Sequence, residues 1–384
     1  MADRYWVGGT DTWDATAGTK WALTSGGAGG LAAPTMSDVV FFDSNSGSGT
    51  CTTASGATAQ SVVFNTSTIT LTLGANLPLT TTFTLTAGAL NLNNNTLSGN
   101  FFASATANTR SINFGTTGKI VLSGSNGTVW QGPNAGTTNV SILGTSRVEL
   151  SYAGATNTRS IRSGLIGLQT DPINFYITAG TDTIAITGSN ILGNLDFTGF
   201  SGTFTNAIRT IFGNLNISSG MTLTAGSSIT FFAATTGTQQ ITTNGKTIDF
   251  PITFNGVGGT FAFQDALTQG STRAFTIING TVQLKNGVTS TVGSFVANNS
   301  NIKFLRSTTP GSQATLSQAS GTVNVVDLTI QDINAVGGAA WNAYTDFENT
   351  DAGNNDGWNF SLSPPYSVAE LPIALRPFTQ PRRF

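Results

Sequence analysis

Gly193-Asn194-Leu195-Asp196-Phe197 returns twenty residues later as Gly213-Asn214-Leu215-Asn216-Ile217. A second motif, Asn108-Thr109-Arg110-Ser111-Ile112, returns as Asn157-Thr158-Arg159-Ser160-Ile161 after 49 residues, and more loosely as Asn206-Ala207-Ile208-Arg209-Thr210-Ile211 after another 49. Short motifs at near-fixed spacing mark a chain that stacks supersecondary units, each covering the apolar face of its neighbour. A 20-residue step is one short coil of a solenoid, and a 49-residue step two coils of about 24.

The stretches around these repeats are strands. Thr68-Ile69-Thr70-Leu71-Thr72-Leu73 alternates polar and apolar, as do Phe83 with Leu85, Ile248 through Phe254, and Phe261 with Phe263. A period of two sends alternate side chains inward and leaves Thr or Asn outside. Asn and Gly punctuate the strands at Leu92-Asn93-Asn94-Asn95, Asn244-Gly245, Asn279-Gly280 and Asn286-Gly287, where turns need positive φ. No 12-residue window carries a helical period. The fold expected is an all-β solenoid, a parallel β-helix, with about 11 to 14 coils in residues 44–326 and a body roughly 55–65 Å long. Asn-Gly turns also suit hairpins, so a β-sandwich array and an intertwined trimeric fibre are the competing architectures.

Composition narrows the function. Only 9% of the 384 residues are charged, and there are 46 Gly, one Cys, no His, and just three Glu (Glu149, Glu348, Glu370). Thr, about one residue in six, supplies the polarity that Lys and Glu usually give, in a β-branched form suited to a pleated surface. The missing His and lone Cys exclude His-based triads, zinc clusters and disulfide frameworks. A net charge of -2 argues against a broad grip on nucleic acid. No apolar run approaches the ~18 residues of a membrane span, and Met1-Ala2-Asp3-Arg4-Tyr5-Trp6 does not open a signal peptide, so neither membrane insertion nor ordinary export is expected. No cofactor or metal is called for.

Charge divides the chain into four parts. Residues 1–43 are acidic and hold Trp6, Trp13 and Trp21; residues 44–326 are mildly basic; residues 327–360 have six acids and no base; residues 361–384 are rich in Pro and Arg. We read these as an N-terminal cap, the solenoid body, an acidic C-terminal cap and an extended docking tail. A solenoid needs caps because each open end is an edge that templates aggregation.

The two cap zones resemble a known pairing. Tyr5-Trp6-Val7-Gly8-Gly9, Trp13, Trp21, Ser25-Gly26-Gly27-Ala28-Gly29-Gly30, Pro34 and Asp38-Val39-Val40-Phe41-Phe42-Asp43 are similar to a recurring N-terminal module. Ile330-Gln331-Asp332, Gly337-Gly338-Ala339-Ala340-Trp341 and Gly353-Asn354-Asn355-Asp356-Gly357-Trp358-Asn359-Phe360 are similar to its partner. Such pairs bracket Thr/Asn/Gly-rich β-solenoids in tailed-phage virion proteins and large bacterial surface adhesins. The resemblance covers about 75 residues and implies a structural role at a surface, without a catalytic motif.

Candidate sites are few. Paired carboxylates would serve glycan cleavage, but the body offers only Glu149, Asp171, Asp182, Asp196, Asp249 and Asp265. Asp182 and Asp249 read as outward polar positions, and Asp171, Asp182 and Asp196 are the trio that coils can gather. Asp346, Glu348, Asp351 and Asp356 do not follow a calcium-loop spacing and read as a solvated cap. Arg110, Arg159 and Arg209 recur at the repeat spacing, which repeat inheritance alone explains better; as a basic column they would meet an acidic host glycan or the phosphates of lipopolysaccharide. In the tail, dense proline enforces an extended chain. Tyr366, Leu371, Ile373, Leu375, Phe378, Arg382, Arg383 and Phe384 make it a clip for another subunit. The expectation is a non-enzymatic virion protein (tail fibre, spike or capsid decoration) on the outer surface of the particle. It would be a homotrimer held to other virion proteins by its C-terminal tail. The alternatives are a bacterial surface adhesin or self-polymerising filament and, less in keeping with the sequence, a glycan-degrading tailspike.

Overall fold

A computed structural model of the chain describes residues 2–132, 139–163, 172–188, 191–205, 207 and 209–363. It is a parallel β-solenoid of about 13 turns. The described strands fall into sheets of 15, 16, 5 and 3 members. Every pairing among the described residues is parallel except one, Trp21–Ala22 against Asp3–Trp6. A single apolar core runs between the sheets from Trp6 to Ala343.

The alternation in the sequence is what builds the ladders. Ile69, Leu71 and Leu73 of the strand Ser61–Leu73 are buried while their Thr neighbours face out. Along the first sheet Val40 stacks on Val62, Val62 on Phe83, Phe83 on Phe102, Phe102 on Trp130 and Trp130 on Ile161. Rings in register meet face to face: Phe83 and Phe102 have centroids 5.8 Å apart, Phe102 and Trp130 4.5 Å. A second aromatic ladder, Phe232–Phe254–Phe275–Phe295, reaches Trp341 and Trp358 at the far end. Such contacts add about 0.5–1.5 kcal/mol each beyond area burial.

The Gly-Asn-Leu repeat is one coil. Leu195 pairs with Leu215 and Asp196 with Asn216. Its side chains explain its composition. Asn174 Oδ1 accepts the backbone N–H of Asn194, and Asn194 Oδ1 accepts that of Asn214, so the amides climb the solenoid as a ladder. A Cβ on Gly193 would lie 2.2 Å from Asn174 Oδ1, and one on Gly213 2.3 Å from Asn194 Oδ1. Each glycine makes room for the amide of the coil below.

Two readings change. The 49-residue recurrence is not two coils: Arg110 pairs with Val140 and Gly88, whereas Arg159 pairs with Ile184 and Gly127, in different ladders of the first sheet, and Arg209 pairs with Thr230 in the second. Coil length varies: 17 residues separate Trp341 from Trp358, 19 separate Phe83 from Phe102, 31 separate Trp130 from Ile161, and 36 separate Asp3 from Val39. Asn279-Gly280 does carry the positive φ expected of it, but not in a loop between separate strands. It lies inside the continuous strand Ala274–Leu284, where Gly280 at φ 87° bends the chain around a solenoid corner. The parallel register excludes the sandwich and hairpin alternatives for the described residues.

Candidate functional site

Arg110, Arg159 and Arg209 are all inside: none is more than 2% exposed. The expectation of a basic column meeting glycan is therefore overturned at all three. Each stands at or next to the start of its strand, and each pins the loop that enters the coil. Arg110 donates from Nε to Ser104 Oγ at 2.6 Å, and from its Nη groups to the carbonyls of Asn108 and Ser104 at 2.6 and 2.7 Å. Arg159 holds Asp182 in a two-pronged ion pair at 2.7 and 2.8 Å and also donates to the Ala179 carbonyl. Arg209 donates to the Ala207 carbonyl and sits 4.7 and 5.0 Å from the rings of Phe204 and Phe250. Burial pushes the Arg110 guanidinium down to about 10 and Arg209 to about 9, so both stay charged at neutral pH.

Lys303 follows the same design. It is fully buried, opens the strand Lys303–Ser307, and donates from Nζ to the carbonyls of Asn299 and Asn301 at 2.6 and 2.7 Å. Burial pushes it down to about 8 from 10.5, against an upward pull from Asp327. Between pH 8 and 10.5 the unfolded chain binds a proton that the folded chain has shed, so this group makes stability rise with pH. Urea denaturation should show the wild type gaining about 2 kcal/mol on Lys303→Met between pH 7.5 and 9.5. A parallel response of the two proteins would contradict the burial of a charged amine.

The candidate carboxylates do not assemble. Asp171 lies outside the described residues. Asp182, expected to face outward, is 3% exposed because Arg159 draws it inside. Asp196 stands on the outer face of the second sheet. Asp249 pairs with Arg273 at 2.7 Å. In the acidic cap, Asp351 accepts from Gly353 and Asn355, and Asp356 from Gln313. Among the described residues no three His, Cys, Asp or Glu side chains are placed to hold a metal ion. Cys51 is buried, and burial pushes its thiol well up, so it is not a nucleophile at neutral pH. The tail residues Tyr366, Leu371, Ile373, Leu375, Phe378, Arg382, Arg383 and Phe384 lie outside the described residues.

What the structure does gather is a group that the sequence reading missed. On the outer face of the second sheet, Glu149 pairs with Tyr176 and Tyr176 with Asp196 on successive coils. The Arg147 guanidinium lies 4.1 Å over the Tyr176 ring. Its Nε donates to Glu149 Oε1 at 2.6 Å, and Lys119 Nζ donates to Glu149 Oε2 at 3.0 Å. Burial would raise the Glu149 carboxyl, but these two cations outweigh it and hold the group below its ordinary value. A carboxylate so held cannot serve as the protonated acid of glycoside cleavage. Two concavities open here with Arg147 and Tyr176 as their shared wall. One, of about 280 Å³, is floored by Thr116, Thr117, Gly118, Thr145 and Ser146. The other, of about 300 Å³, is lined by Thr178, Asp196 and Thr198. The register steps through the cluster are 28 residues from Val121 to Glu149, 27 from Glu149 to Tyr176 and 20 from Tyr176 to Asp196, so uneven coil lengths hid it; period-two alternation within Arg147-Val148-Glu149 was the available signal.

Comparison with protein-family models, curated proteins and solved structures gave no significant match for this chain. Among the described residues no helix is long and apolar enough to cross a membrane.

Proposed function

We propose that this chain is a structural subunit displayed on the outside of a phage particle, a stiff β-solenoid spacer joined to other virion proteins at its C-terminal end and meeting host glycans along its polar flank. The observation that carries the reading is the difference between the two ends. At the first, Trp21–Ala22 runs antiparallel to Asp3–Trp6 and covers that strand's edge, while Asp11–Trp13, paired in parallel with Gly49–Thr53 alone among the described residues, has its Thr12 carbonyl taken by Lys20. At the other, the strands Thr350–Asp351 and Trp358–Asn359 continue the parallel order on one side only, among the described residues. An end whose outer strands are covered or tied by side chains suits the free tip of a rod, and an end that leaves its parallel edges uncovered suits attachment. The role is mechanical and adhesive, with no catalytic step assigned, and a homotrimer is the expected assembly.

The rival reading, a bacterial surface filament or adhesin, draws on the same open edge, since an unpaired parallel edge also accepts the next copy. Light scattering with negative-stain microscopy on the full chain and on a chain ending at Phe360 separates them. Discrete trimeric rods from both are expected, with residues 361–384 needed only to bind other virion proteins. Filaments that vanish on shortening would replace this reading with the self-polymerising one.

A further inference from the structure

We propose that the Arg147–Tyr176 stack is a binding site for an acidic oligosaccharide, with a sugar carboxylate taken by Arg147 and the adjoining sugar ring lying across to Asp196. The proposal rests on the glycan-contact part of the reading above and names the residues and ligand class for it.

Arg147 is the first argument. Its Nε edge is fixed to Glu149 and its plane is fixed by the Tyr176 ring. Its side chain is 42% exposed, and its two Nη groups have no partner among the described residues. A guanidinium with one edge held and the other open is a prepared fork for a carboxylate, because its side-chain entropy is already spent. The neighbouring acid does not compete for it: Glu149 is shared with Lys119, so Lys119, Arg147 and Glu149 together carry one net positive charge.

The two concavities supply the second argument, because their chemistries differ. The Thr117 and Thr145 side lacks an acid, and both hydroxyls are exposed and unpartnered among the described residues, ready to donate to the carboxylate that Arg147 holds. On the other side Asp196 uses Oδ1 for Thr198 and Asn216. Its Oδ2 has no partner among the described residues and is an acceptor for sugar hydroxyls. An anion-selective half beside a hydroxyl-accepting half fits a carboxylated glycan. A simple anion uses only the first half, and a neutral sugar only the second. A polyanion such as nucleic acid is opposed by Asp196 and by the chain's net charge of -2.

Calorimetric titration of the full chain tests this with four probes: oligogalacturonate, oligosialate, the carboxyl-reduced neutral oligomer, and inorganic phosphate. Binding of at least one carboxylated oligomer is expected, tenfold or more tighter than the neutral oligomer. Arg147→Met should weaken it tenfold or more, Asp196→Asn should weaken it less, and phosphate should compete poorly. No binding of either carboxylated oligomer, equal binding of the neutral one, unchanged binding by Arg147→Met, or displacement by phosphate at matched concentration would each overturn the proposal, the last marking a plain anion site. Light scattering on the same samples reports rod mass and shape separately. Loss of glycan binding in an intact rod therefore rejects this site and leaves the display role standing.

Discussion

Asp182→Ala should destabilise the coils around it by about 3–5 kcal/mol, the cost of leaving a buried guanidinium without its counter-ion. Arg159 and Asp182 have no exposed side-chain surface. Arg159 Nη1 is already buried without a hydrogen-bond partner among the described residues, so Asp182 supplies nearly all the compensation for the charge. The rings of Tyr152 and Phe200, 5.4 and 6.0 Å from the guanidinium carbon, are too distant to replace it. Asp249→Ala is the contrasting case. Its partner Arg273 is 2.7 Å away, but both side chains are partly exposed, and the loss should stay within about 1 kcal/mol. In a solenoid each coil contacts only its neighbours, so damage stays local. Hydrogen exchange should therefore rise over residues 152–163, 172–188 and 191–205 in Asp182→Ala and remain unchanged beyond residue 260. Replacing both partners, as Arg159→Met with Asp182→Ala, should recover much of the loss, since no uncompensated charge remains. If the double variant is no better than Asp182→Ala, the defect comes from packing and not from the orphaned cation.

The buried arginines show how far the sequence could be read. The alternation that places Ile112, Ile161 and Ile211 in the core also places Arg110, Arg159 and Arg209 there, because each lies two residues away in the same strand. The periodic signal was present and correct. The general tendency of arginine to lie outside concealed it, and what reverses that tendency shows only in the fold: Arg110 folds back on Ser104 and Asn108, six and two residues away, whereas Asp182 and Phe250 reach Arg159 and Arg209 from distant parts of the chain. The 20-residue repeat was legible as a coil because Asn174, Asn194 and Asn214 form a ladder needing the same step each time. The 49-residue repeat misled because coils near Trp130 carry longer loops, and the motif preserves a corner and not a rung. The Arg147 site was hidden for the same reason. Its members come from four coils whose lengths nothing in the sequence announces, although each residue sits on the face its alternation assigns.

The N-terminal tryptophans were read as part of a cap, and their packing sets the second large expectation. Trp21 is the pivot. It pairs with Trp6 across the antiparallel strand, and its ring meets Trp6 edge-on at 5.0 Å and Trp13 at 5.4 Å. Both of those rings in turn approach Phe42, which pairs with Phe64 on the next coil. The Trp21 carbonyl accepts from Gly30 and Leu31, and the loop between closes over the end. Lys20 ties this loop to the neighbouring edge strand by donating to the Thr12 carbonyl. Trp21→Ala should therefore cost about 3–5 kcal/mol at this end and free the outer edge of Asp3–Trp6 for pairing with another chain. Light scattering should show mass rising with protein concentration, with hydrogen exchange increased at residues 2–6 and 39–42 and unchanged past residue 200. Leu23→Ala is the control, because Leu23 is 62% exposed beside the same strand and should change neither readout. If Trp21→Ala loosens residues 2–6 but remains at its original mass at every concentration, the antiparallel strand is a stabilising lid only, and the edge beneath it is kept from self-pairing by its own shortness and by the charges of Asp3 and Arg4. If mass rises as expected, the antiparallel strand is what keeps the edge of Asp3–Trp6 from pairing with another chain.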